Sequence, residues 1–313
     1  MSSSPSRAGW RVLAVLASIV LLHGALPLHA SASAAGSRLL LPDLRMAKPT
    51  DVRLVRVGGR RLIRFTTIIV NEGRGPLDAV GRRTCASIRR CPRMTVRQRI
   101  RRADGSWVVR RTDARMQYEV GDGHRHWHLV DFEQYRLFRL GVADPTPRVG
   151  AKFGFCFFDV RRIRPFARRA RGYLESGCGT PASTKVHVGL SSGWGDIYPW
   201  DFAGQYVDVT GLTRGEYLLC VTADPDKSFR QVTTRNDQAW VRLRIGRRGV
   251  VVRETHVGSC SAERRRWAPP PEEPSSVLRG LETRPQVAAI ATDVTALPAR
   301  DDRTAGFLCP ILG

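Results

Sequence analysis

The 313-residue sequence predicts an all-β fold, an antiparallel sandwich-like domain with long loops, and two observations predict it. Short runs of β-branched and aromatic residues recur between glycine, proline, aspartate and asparagine turn signals, as strands joined by tight connections do. Helical periodicity is weak throughout. Three regions are expected: a leader over 1–34, a β domain over 38–262, and a Pro-rich, mostly disordered tail over 267–313 that begins near Pro-Pro-Pro-Glu-Glu-Pro.

The leader has a basic start at Arg7 and Arg11, an apolar run from Val12 to Leu28, and small residues at Ala30-Ser31-Ala32 and Ala32-Ser33-Ala34. That is the pattern of a cleaved secretory signal. No later stretch is apolar enough for long enough to cross a bilayer. The first strands are expected over 51–80. Val52 and Leu54 alternate with polar residues, Gly58-Gly59 supplies a turn, and Leu62 to Val70 returns, with a bulge near Leu54-Val55 where the alternation changes phase. Met94 to Arg101 reads as a short helix or another strand. Tyr206 to Val209, Tyr217 to Ala223 and Ala239 to Ile245 complete the pattern.

Between these lies Gly121-Asp122-Gly123-His124-Arg125-His126-Trp127-His128-Leu129. Residues i, i+2 and i+4 of a strand share a face, so His124, His126 and His128 project together. Their outer Cα atoms are about 13 Å apart on a flat strand, so an ion held by all three sits above His126, helped by twist or a bulge. Three imidazoles suit copper, zinc, nickel or iron, and leave a position open.

Two further stretches carry reactive side chains. Ala151 to Asp159 is an aromatic run holding one lysine, Lys152, on the face of Gly154 and Cys156; burial there favours the neutral, nucleophilic amine. Gly193 to Tyr206 is dense in glycine and aromatics and includes Asp196, Tyr198 and Asp201. Taken alone, Lys152 reads as a strand-end lysine reaching for water, and Tyr198 as a packed phenol.

The seven cysteines fit an oxidising compartment. Cys85 and Cys91 can staple a short loop; Cys156 with Cys178 and Cys220 with Cys260 are the economical remaining pairs, although about 15 pairings of six cysteines exist. Cys309 is left over. The formal net charge is +23, from 47 Arg and only four Lys against 28 acidic residues. Arg60-Arg61, Arg99 to Arg102, Arg161 to Arg171 and Arg264 to Arg266 are spread along the chain, not gathered in a nucleic-acid motif. Anionic cell-envelope polymers, lipid headgroups or acidic proteins are the partners such a surface attracts, and ordinary solvated faces are the alternative.

The histidine run followed by Asp131-Phe132-Glu133-Gln134-Tyr135, then Lys152 to Cys156, then Asp196-Ile197-Tyr198 leading into Gln205 to Thr210, resembles the catalytic domain of the lysyl oxidases, especially their bacterial members. Leu41-Pro42-Asp43-Leu44 and Asp224-Pro225-Asp226 to Asn236 extend the likeness to roughly residues 40–260. The resemblance implies a secreted copper amine oxidase with His124, His126 and His128 as copper ligands. It implies that Lys152 and Tyr198 cross-link into lysine tyrosylquinone, which oxidises a primary amine, peptidyl lysine being the expected substrate. Asp196 and Asp201 are the candidate bases. Calcium positions of the family correspond to Asp43, Leu44, Gln231, Thr233, Asn236 and Asp237, where Gln231 and Thr233 replace acids and weaken the site. A non-catalytic copper- or zinc-binding envelope module would make no use of Lys152 and Tyr198. A zinc hydrolase would need a base near the histidines, with Glu119 or Glu133 nearest in sequence.

Overall fold

A computed structural model describes residues 38–120, 125–152 and 154–270. The expected leader, His124, Cys309 and residues 271–313 lie outside the described residues. Among the described residues the fold is all-β: three antiparallel sheets, one short α-helix, Cys260–Arg266, and one 3-10 turn, Glu175–Cys178.

The organising strand is Arg60–Asn71, twelve residues with Leu62, Ile63, Phe65, Ile69 and Val70 buried. On one side it pairs with Leu44–Met46 and Thr50–Val57; on the other it pairs with Trp194–Tyr198 and Tyr206–Asp208. The hairpin turn at Gly58-Gly59 has φ of +54° and +75°, a conformation glycine adopts without a Cβ penalty. The register irregularity lies between Thr50 and Arg53, not at Leu54-Val55. There Asp51 takes φ +53°, so the backbone kinks before the edge strand settles into register. The side-chain phase change at Leu54-Val55 reflects only a half-buried edge.

A second sheet carries Trp127–Val130 between Gly154–Phe155 and Trp107–Tyr118, continuing through Arg93–Arg102, Leu77–Arg82 and Lys185–Leu190. The undecided segment around Met94 is therefore a strand; Met94, Val96 and Ile100 are buried at period two. The third sheet orders Arg148–Val149, Glu133–Arg139, Gly215–Ala223, Gln238–Ile245 and Val250–Val257. One core joins the sheets, with Phe65, Trp127, Tyr135, Phe155 and Phe157 fully enclosed.

Three disulfides join Cys85 to Cys91, Cys156 to Cys178 and Cys220 to Cys260, with Cα separations of 6.0, 5.9 and 5.9 Å. The last ties the helix to the third sheet. Ser259 caps this helix by accepting from the Ala262 amide at 3.3 Å, and three arginines occupy its last turn, where the helix dipole favours cations. Trp267 is anchored: its indole donates to Glu263 at 2.8 Å and lies under Arg242.

Candidate active site

One cavity of about 400 Å³ gathers most of the reactive side chains predicted from sequence. His126, His128, Lys152, Asp196 and Tyr198 line it, together with apolar Phe158, Val160, Ile197, Pro199 and Phe202. The strand carrying the histidines starts only at Trp127, so His126 precedes it and His128 sits within it. Their rings meet edge to face with centroids 4.7 Å apart. His128 is held from behind by Gly154, where a Cβ would fall 2.9 Å from Nδ1, so the imidazole requires a residue without a side chain.

Lys152 is 7% exposed, and its Nζ lies 5.2 Å from the Phe155 ring centroid and 5.6 Å from that of Tyr198. The expected long aromatic strand is only Gly154–Phe155; the chain from Cys156 to Val160 is irregular, and the disulfide to Cys178 holds it. Tyr198 occupies the strand opposite Thr67, and its ring meets Phe155 edge-on at 4.8 Å. Its hydroxyl donates to Asp196 Oδ2 at 2.6 Å and lies 3.1 Å from the Cys156 carbonyl oxygen. Residues 196 and 198 alternate on one strand, which puts phenol and carboxyl on one face.

Burial dominates the electrostatics. It pushes the Asp196 carboxyl up to about 8, against the opposing effects of the Tyr198 hydrogen bond, the Ile197 amide and the Lys152 charge. Burial also raises the Tyr198 phenol well above its ordinary value, and the adjacent Asp196 charge adds to this. Nearby, Glu133 is raised to about 8, again mainly by burial.

Sequence comparison decides the family at this point, because the lysyl oxidase family model matches residues 79–255, more than half of the chain. The chain belongs to the lysyl oxidase family. Lysyl oxidase homolog 3A of Danio rerio is 25% identical over 210 residues, covering 66% of this chain and 22% of that protein. Lysyl oxidase homolog 4 of Homo sapiens is 25% identical over 203 residues, 64% and 21% of the two chains. Protein-lysine 6-oxidase of Sus scrofa is 30% identical over 112 residues, 36% and 40%. The chain spans well under half the length of these relatives.

Within this lysyl oxidase domain, Asp201 does not join the site. Pro199 opens a turn closed by the Phe202 amide at 3.0 Å from the Pro199 carbonyl, which leaves Asp201 exposed and outside the cavity lining. Glu119 also stays outside it; its carboxylate accepts from the Val120 amide at 2.9 Å. Sequence reasoning overlooked Glu175 at the cavity lining and weighed Glu133 only as a base for hydrolysis. A polar Glu133 on the same face of its strand as Tyr135 and Leu137 was the available signal. The sulfurs of Cys156 and Cys178 come within 4.8 Å of a His126 ring nitrogen, but as a disulfide they offer no thiolate to a metal.

The predicted calcium positions also converge. Asn236 donates to Asp43 Oδ1 at 3.2 Å, Gln231 donates to Asp237 Oδ2 at 3.0 Å, and Gln231 Oε1 accepts from the Leu44 amide at 2.9 Å. Both ends of Gln231 are thereby consumed, and the Thr233 hydroxyl accepts from the Arg235 amide at 3.2 Å. Asn236 Oδ1 and Asp237 Oδ1 are buried without partners, and burial with the Asp224 and Asp43 charges raises Asp237 to about 7. One amide oxygen and one carboxylate oxygen without partners, beside the Asp43 carboxylate, fit a hard cation.

Proposed function

We propose that this chain is a secreted, copper-dependent amine oxidase that converts primary amines, with peptidyl lysine as the expected class, to aldehydes with release of ammonia and hydrogen peroxide. The observation that carries this reading is Lys152 Nζ facing the Tyr198 ring at 5.6 Å inside the cavity that His126 and His128 also line. Two imidazoles opening on one enclosure, with His124 as the third ligand, suit a copper ion by donor type. Copper held by His124, His126 and His128 would supply redox chemistry toward oxygen, and a lysine tyrosylquinone made from Lys152 and Tyr198 would supply the carbonyl and electron-accepting chemistry of amine oxidation.

The chain's own residues do the rest. Asp196 is the proton acceptor, first toward the Tyr198 hydroxyl it already contacts and then toward the α-carbon of bound amine. Phe158, Pro199 and Phe202 exclude water, and Phe155 and Phe157 hold the Tyr198 ring edge-on. Among the described residues the lining includes no arginine and two acids, Asp196 and Glu175, in a protein of charge +23. That local balance supports admission of a cationic amine despite the basic exterior. A calcium ion at Asp43, Asn236 and Asp237 would brace the start of Leu44–Met46 against the start of Gln238–Ile245.

The test is copper- and oxygen-treated protein assayed with a lysyl peptide for hydrogen peroxide and with phenylhydrazine for a carbonyl adduct. Peroxide release and an adduct on the Tyr198 peptide are expected. Copper bound with neither would overturn the oxidase reading in favour of a metal-binding module.

A further inference from the structure

A second cavity, of about 600 Å³, shares no lining residue with the one that holds Lys152. Four segments distant in sequence meet there: the turn after the central strand, with Arg74; Arg101, near the end of Arg93–Arg102; the loop carrying Phe166 and Arg168; and Ser191 with Ser192. Asn71, fully buried, pins two of them. Its side-chain nitrogen donates to the Gly75 and Leu190 carbonyls, both at 2.9 Å, its side-chain oxygen accepts from the Gly73 amide at 3.0 Å, and its own carbonyl accepts from the Gly193 amide at 2.6 Å. The Trp194 indole donates to the Arg168 carbonyl at 3.1 Å, which ties down the third. The wall is braced backbone.

Its charge is uncompensated. Glu72, the one acid among the described lining residues, already pairs with Arg45 at 3.1 Å and with Arg164. Among the described residues, the guanidiniums of Arg74, Arg101 and Arg168 have no hydrogen bond, ion pair or ring contact. Such a cavity is about 10 Å across, close to one Debye length in physiological salt, so its arginines repel one another with little screening. A cleft lined by one sign of charge concentrates the opposite ion.

We propose that this cavity binds phosphate groups of an anionic polymer of phosphodiester-linked polyol or sugar units. Three guanidiniums and the hydroxyls of Ser191 and Ser192 offer more donors than the two oxygens of a carboxylate can take, whereas phosphate presents four oxygens. The positive track continues outside: residues 161–171 hold six arginines and no acid, and Arg161, Arg162, Arg169 and Arg171 are exposed. A run of this kind suits a ligand whose charge repeats. Phe166 is 61% exposed at the rim and covers the carbon part of one unit. Readers of single-stranded nucleic acid interleave several aromatics along such a track, and Phe166 is the one aromatic among the described lining residues. The proposal stands apart from the amine oxidase reading.

The experiment is fluorescence anisotropy of labelled poly(glycerol phosphate) with the full chain in physiological salt, competed by unlabelled polyglutamate, oligothymidylate of matched length, and monomeric glycerol phosphate. Saturable binding is expected, with polyglutamate and oligothymidylate at least about tenfold weaker and the monomer at least about 100-fold weaker per phosphate. Arg101→Gln and Arg168→Gln should each weaken binding about tenfold, and exposed Arg74→Gln, which disturbs no packing, gives the same direction should Arg101→Gln misfold by circular dichroism. Arg111→Gln, an exposed arginine on Trp107–Tyr118 outside the cavity, should stay within about twofold. No binding, or equal weakening by Arg111→Gln, overturns the site in favour of the general positive field. Equal competition by polyglutamate overturns the phosphate assignment, tighter oligothymidylate makes the partner a nucleic acid, and a monomer as effective per phosphate as the polymer makes it a small phosphate ester; each overturns the proposal.

Discussion

Two buried tyrosines in this protein each hydrogen-bond a buried aspartate, and they are built for opposite ends. Tyr173 donates to Asp78 at 2.8 Å, and Asp78 is 2% exposed. The other Asp78 oxygen meets His187 Nε2 at 3.0 Å and Arg99 Nε at 3.9 Å, with Asp78 and His187 on paired strands. This carboxylate is ringed by donors, and the group acts as a clasp between Leu77–Arg82 and the Tyr173 loop. Tyr198 donates to Asp196 at 2.6 Å, yet among the described residues Asp196 forms no ion pair, and its carboxyl rises to about 8. Both phenols are pushed up by burial and by their aspartates. Cationic partners around the acid separate a structural pair from one poised to exchange protons, and the second kind opens on a cavity.

The sharpest way to break this comparison is to remove each phenol. Tyr198→Phe or Lys152→Ala should lower amine oxidation by more than about 10³-fold and abolish the cross-link. Tyr173→Phe should stay within about twofold of wild type, since it touches nothing in the cavity. Equal losses in steady-state oxidation would show that the two pairs are not functionally distinct. Asp196→Asn comes next, with an expected drop of about 10²–10⁴-fold. Because the base acts ionised, the wild-type rate should rise with pH up to about 8 and then flatten; the variant should lose that limb.

Stability sharpens the same contrast. Tyr173→Phe leaves Asp78 short of a donor and should cost about 1–3 kcal/mol in urea unfolding. Asp196 behaves differently, because its folded value of about 8 lies above the ordinary 3.8. Its contribution to stability is full below about pH 4 and is lost as pH rises through 8. Metal-free Asp196→Asn should therefore gain on wild type steadily from pH 5 to about pH 8 and then level off, and a widening gap in the other direction would refute the burial argument. The smallest effect is expected at the Asp43 and Asp237 cluster, where millimolar calcium should raise Tm by a few degrees and Asp237→Asn should abolish the shift.

Much of this was legible from local pattern. The Gly58-Gly59 turn and the strands after Tyr217 and Ala239 follow from residue type and alternation alone. Asp196 and Tyr198 share a face because they are two apart on a strand. Asp201 stays outside the cavity because the turn after Pro199, which sequence distance ignores, leaves it exposed to solvent. Glu133 is buried opposite Ala223 through pairing between strands far apart in sequence, which no local window encodes. The bulge was misplaced for a related reason: at a half-buried edge, side-chain alternation no longer reports backbone register.

The central claim is that Lys152 and Tyr198 become one covalent unit. Peptide mapping of copper-loaded, oxygen-exposed protein tests it most directly. A single species joining the Lys152 and Tyr198 peptides, absent from Lys152→Ala and Tyr198→Phe, is the predicted result. Separate, unmodified peptides from fully copper-loaded protein after prolonged incubation with oxygen would contradict it.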